Sequence, residues 1–241
     1  LSNAIDFERF YFKKRAKPKS DQTIHAVCVG SLVNKKNQAF LIPIVSYLKT
    51  KGYDCKIDIL GDGPNKAYLQ KEIESSNLSK DIILHGNVKN VEEFMRNAEF
   101  YIHAATYEPF GLVLLEAMAA GLPVVSLDGK GNRDIIEHEK NGFIFQDQNA
   151  EQFGNALIKL KENPNEYLRY VKEGHKFSSD YDIENYTKEL EADGYKPVLD
   201  NPTYIPWSEM DIVVIKVRNF KFVINVEQKF VSRFYKNGNV G

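Results

Sequence analysis

The chain has 241 residues, 43% of them hydrophobic and 27% charged, which is the composition of an ordinary globular protein. Its net charge of −1 excludes nucleic-acid binding by bulk charge, and its apolar runs are too short for a membrane-spanning helix. The length allows one domain plus an appendage, or two small domains. Cys28 and Cys55 are too few for a disulfide framework and lack metal-ligand spacing.

The order of apolar patterns along the chain predicts the fold. Residues 1–22 form a charged leader, after which apolar runs alternate with helical patterns. Helices are predicted over 65–76, over 91–98 and after Asn149. The predicted strands cover residues 24–30, 56–61, 82–86, 100–105, 123–127 and 142–145. This alternation predicts an α/β fold with a Rossmann-like, doubly wound parallel sheet across residues 23–192, which binds ligands at the carboxyl ends of its strands.

The segment 193–241 differs in composition from the rest. Prolines first indicate a linker, and β-branched and aromatic residues then alternate with lysine and arginine. We interpret this segment as a linker followed by a small, β-rich, antiparallel tail. Its basic side chains are suited to phosphate, anionic lipid or a partner protein, although a solvated strand face is the simpler interpretation.

The loop after the first predicted strand, residues 30–37, is a candidate anion site. It lacks both the dinucleotide-binding fingerprint and the P-loop pattern. It does place Gly30 and Lys36 between a strand and a helix, where a lysine can pair with a phosphate as a point charge. A solvated lysine at a turn would have the same pattern.

Two further loops follow the second and third predicted strands. The glycines of the first, beginning at Gly61, allow close backbone approach to a ligand, and Asp62 is placed to cap a helix or to meet a hydroxyl. The second offers the backbone near Asn87 and Val88 to a flat ring. Each loop taken alone is equally typical of a plain turn.

The stretch EPFGLVLLEAMAAGLPVV, residues 108–125, is more specific. Glycine at position 111 removes the Cβ that would block a phosphate, and the first-turn amides of the helix that follows are unpaired. Glu116 lies about one and a half turns into that helix, where a carboxylate can accept hydrogen bonds from the two vicinal hydroxyls of a ribose. An amphipathic helix with an acidic residue near its start would explain Glu108 but not the glycine and proline spacing.

This stretch resembles the nucleotide-sugar motif of retaining GT-B glycosyltransferases, family 4 (group 1). Other parts of the chain agree with that family in order, from a hinge-like NAIDFERF through VGSLVNKKN, ILGDGP and LHGNV to GKGNRDIIEHEKNGF. The resemblance covers roughly residues 1–190. It implies the C-terminal, donor-binding half of a GT-B fold, with the leader at the interdomain hinge.

The resemblance also implies a role for individual residues. Lys36 and Glu108 would be catalytic, the lysine at the donor diphosphate and the glutamate at hydroxyls of the donor sugar. Glu116 would bind the ribose, and the backbone near Asn87 and Val88 would meet the base. The full donor-binding set would be Gly30, Ser31, Lys36, Gly61, Asp62, Asn87, Val88, Glu108, Phe110, Gly111, Leu112, Glu116 and Arg133.

The sequence departs from the family pattern at Ser31, where the family usually has an arginine. One cation for the diphosphate is therefore absent. Arg133 or Lys130, in a glycine-containing loop, is a candidate substitute.

The family further implies a metal-independent transferase without a cofactor that moves a hexosyl group in polysaccharide biosynthesis. Its donor would be a UDP-sugar, with a GDP-sugar as the alternative, and its acceptor a glycan or a lipid-linked sugar. A cytoplasmic location follows, free or peripheral at the inner membrane face. We expect an N-terminal acceptor domain to be missing from this chain and activity to depend on it. The alternative is a non-catalytic module that binds a nucleotide sugar or docks a partner.

Overall fold

The computed structural model describes residues 4–12, 15, 17–19, 21–185, 188, 212–217 and 220–225. The fold divides into two units. The larger unit is Phe7–Asp180, and the smaller one comprises Leu1–Asp6 and Tyr181–Gly241. No helix among the described residues combines the length and the hydropathy needed to cross a membrane.

The larger unit is built on a six-stranded sheet in which every neighbouring pair is parallel. The strand order is β3-β2-β1-β4-β5-β6, so the chain starts near the middle, winds outward to one edge and then returns to fill the other side. The strands are β1 (Thr23–Val29), β2 (Asp54–Leu60), β3 (Ile82–Gly86), β4 (Phe100–His103), β5 (Val124–Leu127) and β6 (Gly142–Phe145). The doubly wound parallel sheet and its six predicted strands are confirmed.

Among the described residues of this unit, seven α-helices lie before, between and after the strands: α1 (Phe7–Phe10), α2 (Leu41–Thr50), α3 (Lys66–Ser75), α4 (Val91–Asn97), α5 (Leu112–Ala119), α6 (Ala150–Glu162) and α7 (Pro164–Ser179). The side chain of Asn149 caps α6 by accepting a hydrogen bond from the amide of Gln152, at 3.1 Å. Pro164 then begins α7, where a residue without an N–H costs no helical hydrogen bond.

The leader residues from Phe7 onward belong to the larger unit rather than to a separate segment. Phe7 and Phe10 are buried, and the guanidinium of Arg15 donates to the carbonyls of Met95 and Arg96 at 3.0 and 2.9 Å. The leader is thereby attached to the end of α4. The first predicted boundary, between residues 22 and 23, thus falls inside this unit.

Among its described residues, the smaller unit shows two backbone pairings. Ile5 forms a parallel bridge with Asp182. Strands β7 (Ile212–Val217) and β8 (Phe220–Asn225) pair antiparallel, as the alternation in the tail predicts. The prolines of the predicted linker and the remaining tail residues lie outside the described residues.

A buried carboxylate joins three strands of the sheet. Asp58 on β2 is 3% exposed, and its two oxygens accept hydrogen bonds from His25 on β1 and His85 on β3, each at 2.7 Å. Burial alone would raise the pKa of Asp58, but the two imidazoles outweigh it and lower the pKa to about 2. The ionised carboxylate therefore favours the folded state.

We expect Asp58→Asn to lower the free energy of unfolding by about 1–2 kcal/mol at pH 7. Since the folded pKa lies below the ordinary value, this contribution is present above about pH 4 and is lost as the pH falls towards 2. Urea denaturation at pH 7 measures it, with Asp54→Asn, an exposed position on the same strand, as the control. Equal stability of the two variants would contradict the role of Asp58.

Candidate functional site

The site lies where the strand order reverses, between β1 and β4. The chain leaves these neighbouring strands in opposite directions, which opens a crevice at their carboxyl ends. The loops that follow them are joined by hydrogen bonds. The carbonyl of Lys35 accepts the amides of Thr106 and Tyr107 at 2.9 and 3.4 Å, and Asn37 Nδ2 donates to the Ala104 carbonyl at 3.2 Å.

Lys36 and Glu108 form an ion pair across this crevice, between Nζ and Oε2. The lysine ends a 3-10 turn, Asn34–Lys36, and the left-handed Asn37 that follows turns the chain towards α2. The side chains are 16% and 10% exposed. Burial would raise the pKa of Glu108, but His103 and Lys36 outweigh it and lower the pKa to about 2. The two predicted catalytic residues therefore neutralise each other in the structure.

The N-terminus of helix α5 lies beside the Glu108 carboxylate. Gly111 precedes the helix with a φ of 65°, and its amide donates to Glu108 Oε1 at 3.4 Å. This φ favours glycine, and a Cβ at Gly111 would lie 2.7 Å from the tip of the Ile135 side chain, which would have to shift. The amide of Leu112 belongs to the first turn, where helices have no internal acceptors. The structure thus brings Lys36, Glu108 and the predicted amides together.

Glu116 lies further along α5 and is half-buried. Burial raises its pKa to about 7, opposed by the charge of Arg9. Within the part of the chain that the structure describes, no side-chain hydrogen bond or ion pair reaches this carboxylate. Its hydrogen-bonding capacity is therefore available to a ligand.

The loop after β2 packs against the loop after β1. A Cβ on Gly61 would lie 2.1 Å from the carbonyl oxygen of Gly30, so only glycine fits at this contact. The amide of Leu32 also donates to the Asp62 carbonyl at 3.0 Å. The Asp62 carboxylate does not cap α3. It pairs with Lys66 at 2.8 Å, and this pairing lowers its pKa.

The loop after β3 continues the same edge of the sheet. The amide of Gly61 donates to the Gly86 carbonyl at 2.8 Å, which places Asn87 and Val88 beside the loop after β2. Asn87 is exposed and Val88 half-buried. The predicted site residues therefore extend along the carboxyl ends of neighbouring strands.

The candidate substitutes for the missing arginine lie in the loop after β5. The backbone of this loop holds the backbone of Glu108, whose amide donates to the Gly129 carbonyl at 2.8 Å. The Arg133 guanidinium pairs with Asp128 at 2.6 Å and is mostly exposed. Lys130 has a left-handed φ of 73°. Arg133 thus has an acidic partner, as Lys36 does. The side chain of Ser31 is exposed.

Two residues of the site were not in the predicted set. His103, at the end of β4, is buried with Nε2 3.2 Å from Glu108 Oε2. Sequence alone favours a structural role for it, and its only signal is its position at a strand end before the motif. Gln38 is buried and donates to the carbonyls of Gly30 and Ser31, at 3.4 and 3.1 Å. No sequence pattern indicates that contact.

Among the described residues, no group of three histidine, cysteine, aspartate or glutamate side chains is arranged to hold a metal ion. The anion-binding elements that the structure brings together are Lys36 and the start of α5.

Comparison with known proteins places the chain in a family. The family of glycosyl transferases group 1 matches residues 9–177, which is most of the chain. Poly(glycerol-phosphate) alpha-glucosyltransferase of Bacillus subtilis is 28% identical over 162 residues, which are 67% of this chain and 24% of that protein. N-acetylgalactosamine-N,N'-diacetylbacillosaminyl-diphospho-undecaprenol 4-alpha-N-acetylgalactosaminyltransferase of Campylobacter jejuni is 32% identical over 164 residues, 68% of this chain and 44% of that protein. The chain therefore spans less than half the length of these relatives.

Solved structures agree on the fold. A mutant of S. aureus TarM, in complex with Fondaparinux, alpha-GlcNAc-glycerol and UDP, superposes with a TM-score of 0.65 at 24% identity over 76% of this chain and 38% of that one. HepE of Anabaena, in complex with UDP and glucose, gives 0.66 at 20% identity over 79% and 55%. The C-terminal domain of the group 1 protein LpcC from Francisella tularensis gives 0.62 at 21% identity over 74% and 99%. With this sheet and this extent of match, the chain belongs to the glycosyl transferases group 1.

Proposed function

We propose that the chain is the donor-binding, C-terminal domain of a retaining GT-B glycosyltransferase of family 4. The observation that carries this proposal is the meeting of Lys36, Glu108 and the start of α5 at the switch point of the sheet. A basic side chain and helix amides suit a diphosphate, and a carboxylate beside them suits sugar hydroxyls.

In this proposal, different residues bind different parts of the donor. Lys36 and the amides of Phe110, Gly111 and Leu112 face the diphosphate and the sugar. Glu108 accepts hydrogen bonds from hydroxyls of the sugar, and Glu116 accepts those of the ribose. The loops at Gly30, Gly61 and Asp62 line the site, and the base lies against the backbone of Asn87 and Val88.

The proposed reaction replaces one bond at the anomeric carbon of the donor. The bond to the diphosphate oxygen breaks, that oxygen leaves with the electron pair, and an acceptor hydroxyl bonds to the same face of the sugar while its proton passes to the departing diphosphate oxygen. Lys36 and the helix amides stabilise the charge that develops on the leaving diphosphate, without a metal ion. Catalysis is then leaving-group stabilisation combined with positioning.

Several observations support a UDP-sugar as the donor and a further domain for the acceptor. TarM and HepE have this fold and are described with UDP. The matched LpcC chain is itself a C-terminal domain, and this chain covers 99% of it. The chain also spans only 24% of the Bacillus subtilis enzyme, whose name gives a polymer as its acceptor. We therefore propose a glycan or lipid-linked acceptor, bound with an N-terminal domain.

Isothermal titration calorimetry tests this proposal. We expect the chain to bind UDP in the presence of EDTA, and Lys36→Ala to weaken that binding about five- to tenfold. The loss is moderate because Lys36 exchanges one anionic partner for another when UDP binds.

Lys35→Ala is the matched control, since the Lys35 ammonium lies over the Tyr107 ring rather than at Glu108. It should bind UDP as the parent does. GDP replaces UDP in a second titration to test the alternative base. Failure of the parent chain to bind UDP, GDP and their sugar conjugates would overturn the proposed function.

A further inference from the structure

His103 is a buried imidazole on a rigid strand, next to the carboxylate of Glu108. It ends β4, is 2% exposed, and its ring stacks on that of Tyr101 with centroids 6.1 Å apart and planes at 22°. Its Nε2 lies 3.2 Å from Glu108 Oε2, yet the two atoms do not form an aligned hydrogen bond. Among the described residues, this nitrogen has no other hydrogen-bond partner.

The other partners of Glu108 explain why His103 Nε2 and Glu108 Oε2 are close but not aligned as a hydrogen bond. Oε2 is occupied by Lys36 Nζ, while Oε1 accepts the amide of Gly111 at 3.4 Å. The lysine reaches Oε2 through a flexible side chain from a 3-10 turn, whereas His103 is fixed by its strand and by Tyr101. Of these two neighbours of Oε2, only the histidine is unable to move away.

We propose that His103 is a positioning residue, whose Nε2–H takes over Glu108 Oε2 when a donor diphosphate draws Lys36 away and so keeps the carboxylate aimed at the hydroxyls of the donor sugar. This inference rests on the proposed function, because it needs a ligand that competes for Lys36. A small rotation of the carboxylate is sufficient, since the two atoms are already within hydrogen-bond distance.

The electrostatics of His103 suit this role. Burial lowers the pKa of the imidazole, so the ring is neutral near pH 7 and carries a single N–H. A neutral donor orients Glu108 without neutralising it, unlike Lys36. The carboxylate then keeps its full charge for the sugar hydroxyls, to which charge-assisted hydrogen bonds are the strong ones.

The test compares UDP with UDP-glucose and UDP-N-acetylglucosamine, by calorimetry on the complete chain. The measured quantity is the sugar increment, defined as the Kd of UDP divided by the Kd of the UDP-sugar. His103→Phe retains a ring on Tyr101 but lacks the N–H. We expect it to leave the Kd of UDP within about twofold and to reduce the sugar increment about tenfold.

Three further variants keep the test decisive. His103→Gln restores an N–H donor and should recover part of the increment, and His103→Leu replaces His103→Phe if the larger ring is not accommodated. Tyr101→Phe removes a buried hydroxyl from the same strand, 3.3 Å from the Val29 carbonyl, and should leave the increment unchanged.

An unchanged increment in both His103→Phe and His103→Leu would overturn the inference, as would an equal loss of UDP and UDP-sugar binding. A parent chain that binds none of these ligands would instead overturn the proposed function, and this inference with it. The two failures are distinguished by the titration of the parent chain with UDP.

Discussion

Glu108→Gln is expected to bind UDP about tenfold more tightly than the parent chain, although it removes a predicted catalytic residue. Lys36 is paired with the Glu108 carboxylate in the structure, and both side chains are largely buried. UDP must break that pair before the lysine can meet the diphosphate. Glutamine has nearly the same shape but no charge, so it leaves Lys36 available.

The same variant should lose much of the additional affinity that the sugar gives to the UDP-sugar over UDP. A neutral amide makes weaker hydrogen bonds to hydroxyls than a carboxylate does. The release of Lys36 tightens the binding of UDP and of the UDP-sugar alike and cancels in the ratio of their Kd values. We therefore expect the Kd of UDP divided by the Kd of the UDP-sugar to fall about tenfold, from the weaker hydrogen bonds to the sugar alone. Calorimetric titrations with UDP and UDP-glucose measure both the tighter UDP binding and the fall in this ratio.

A double-mutant cycle of Glu108→Gln and Lys36→Ala shows why UDP binds more tightly to the Glu108→Gln variant. If Glu108 opposes UDP only by holding Lys36, Glu108→Gln should have no effect on UDP binding in a Lys36→Ala background. Tighter binding in both backgrounds would point to general repulsion between Glu108 and the diphosphate. Weaker binding of UDP by Glu108→Gln would contradict the proposal that Lys36 leaves Glu108 to bind the diphosphate.

The order of elements could be predicted because each signal is local. Runs such as IHAVCVG and the positions of Leu69 and Ile73 one helical turn apart depend on neighbours in the chain, and the structure confirms them. The parallel sheet followed from their alternation. Because the carboxyl ends of parallel strands lie at one edge of the sheet, the loops that follow them are expected to meet there, including those at Gly30, Gly61 and Glu108.

The pairing of side chains inside the site could not be predicted in the same way. Lys36 and Glu108 are 72 residues apart, and they meet because β1 and β4 are neighbours in the sheet. Each side chain alone resembles a solvated surface charge. Asp58 likewise gains its two imidazoles from strands on either side. The pairing of Arg133, a predicted diphosphate cation, with Asp128 is likewise not indicated by the sequence.

Glu116→Gln is expected to stabilise the empty protein by about 1–3 kcal/mol at pH 8 and to weaken UDP binding about 10–100-fold. Burial raises the pKa of Glu116 to about 7, above the usual 4.5. Between these two values the folded state binds more protons than the unfolded state, so stability falls as the pH rises. The cost of the buried charge is complete above about pH 7 and absent below about pH 4.5.

Chemical denaturation at pH 5 and pH 8 measures this cost, and calorimetry measures the loss of UDP binding. The stabilisation by Glu116→Gln should be larger at pH 8, whereas Glu74→Gln, at an exposed position on α3, should show no such pH dependence. A stabilisation of equal size at both pH values would mean that the carboxylate is well solvated.

Stabilisation and loss of affinity are expected together because they have the same cause. A carboxylate that is half-buried and lacks a partner in the described residues is unfavourable in the empty protein. Two vicinal hydroxyls of a ribose would satisfy both of its oxygens and relieve that cost only when the ligand is bound. A variant that gained stability yet bound UDP normally would separate the two effects and place the ribose elsewhere.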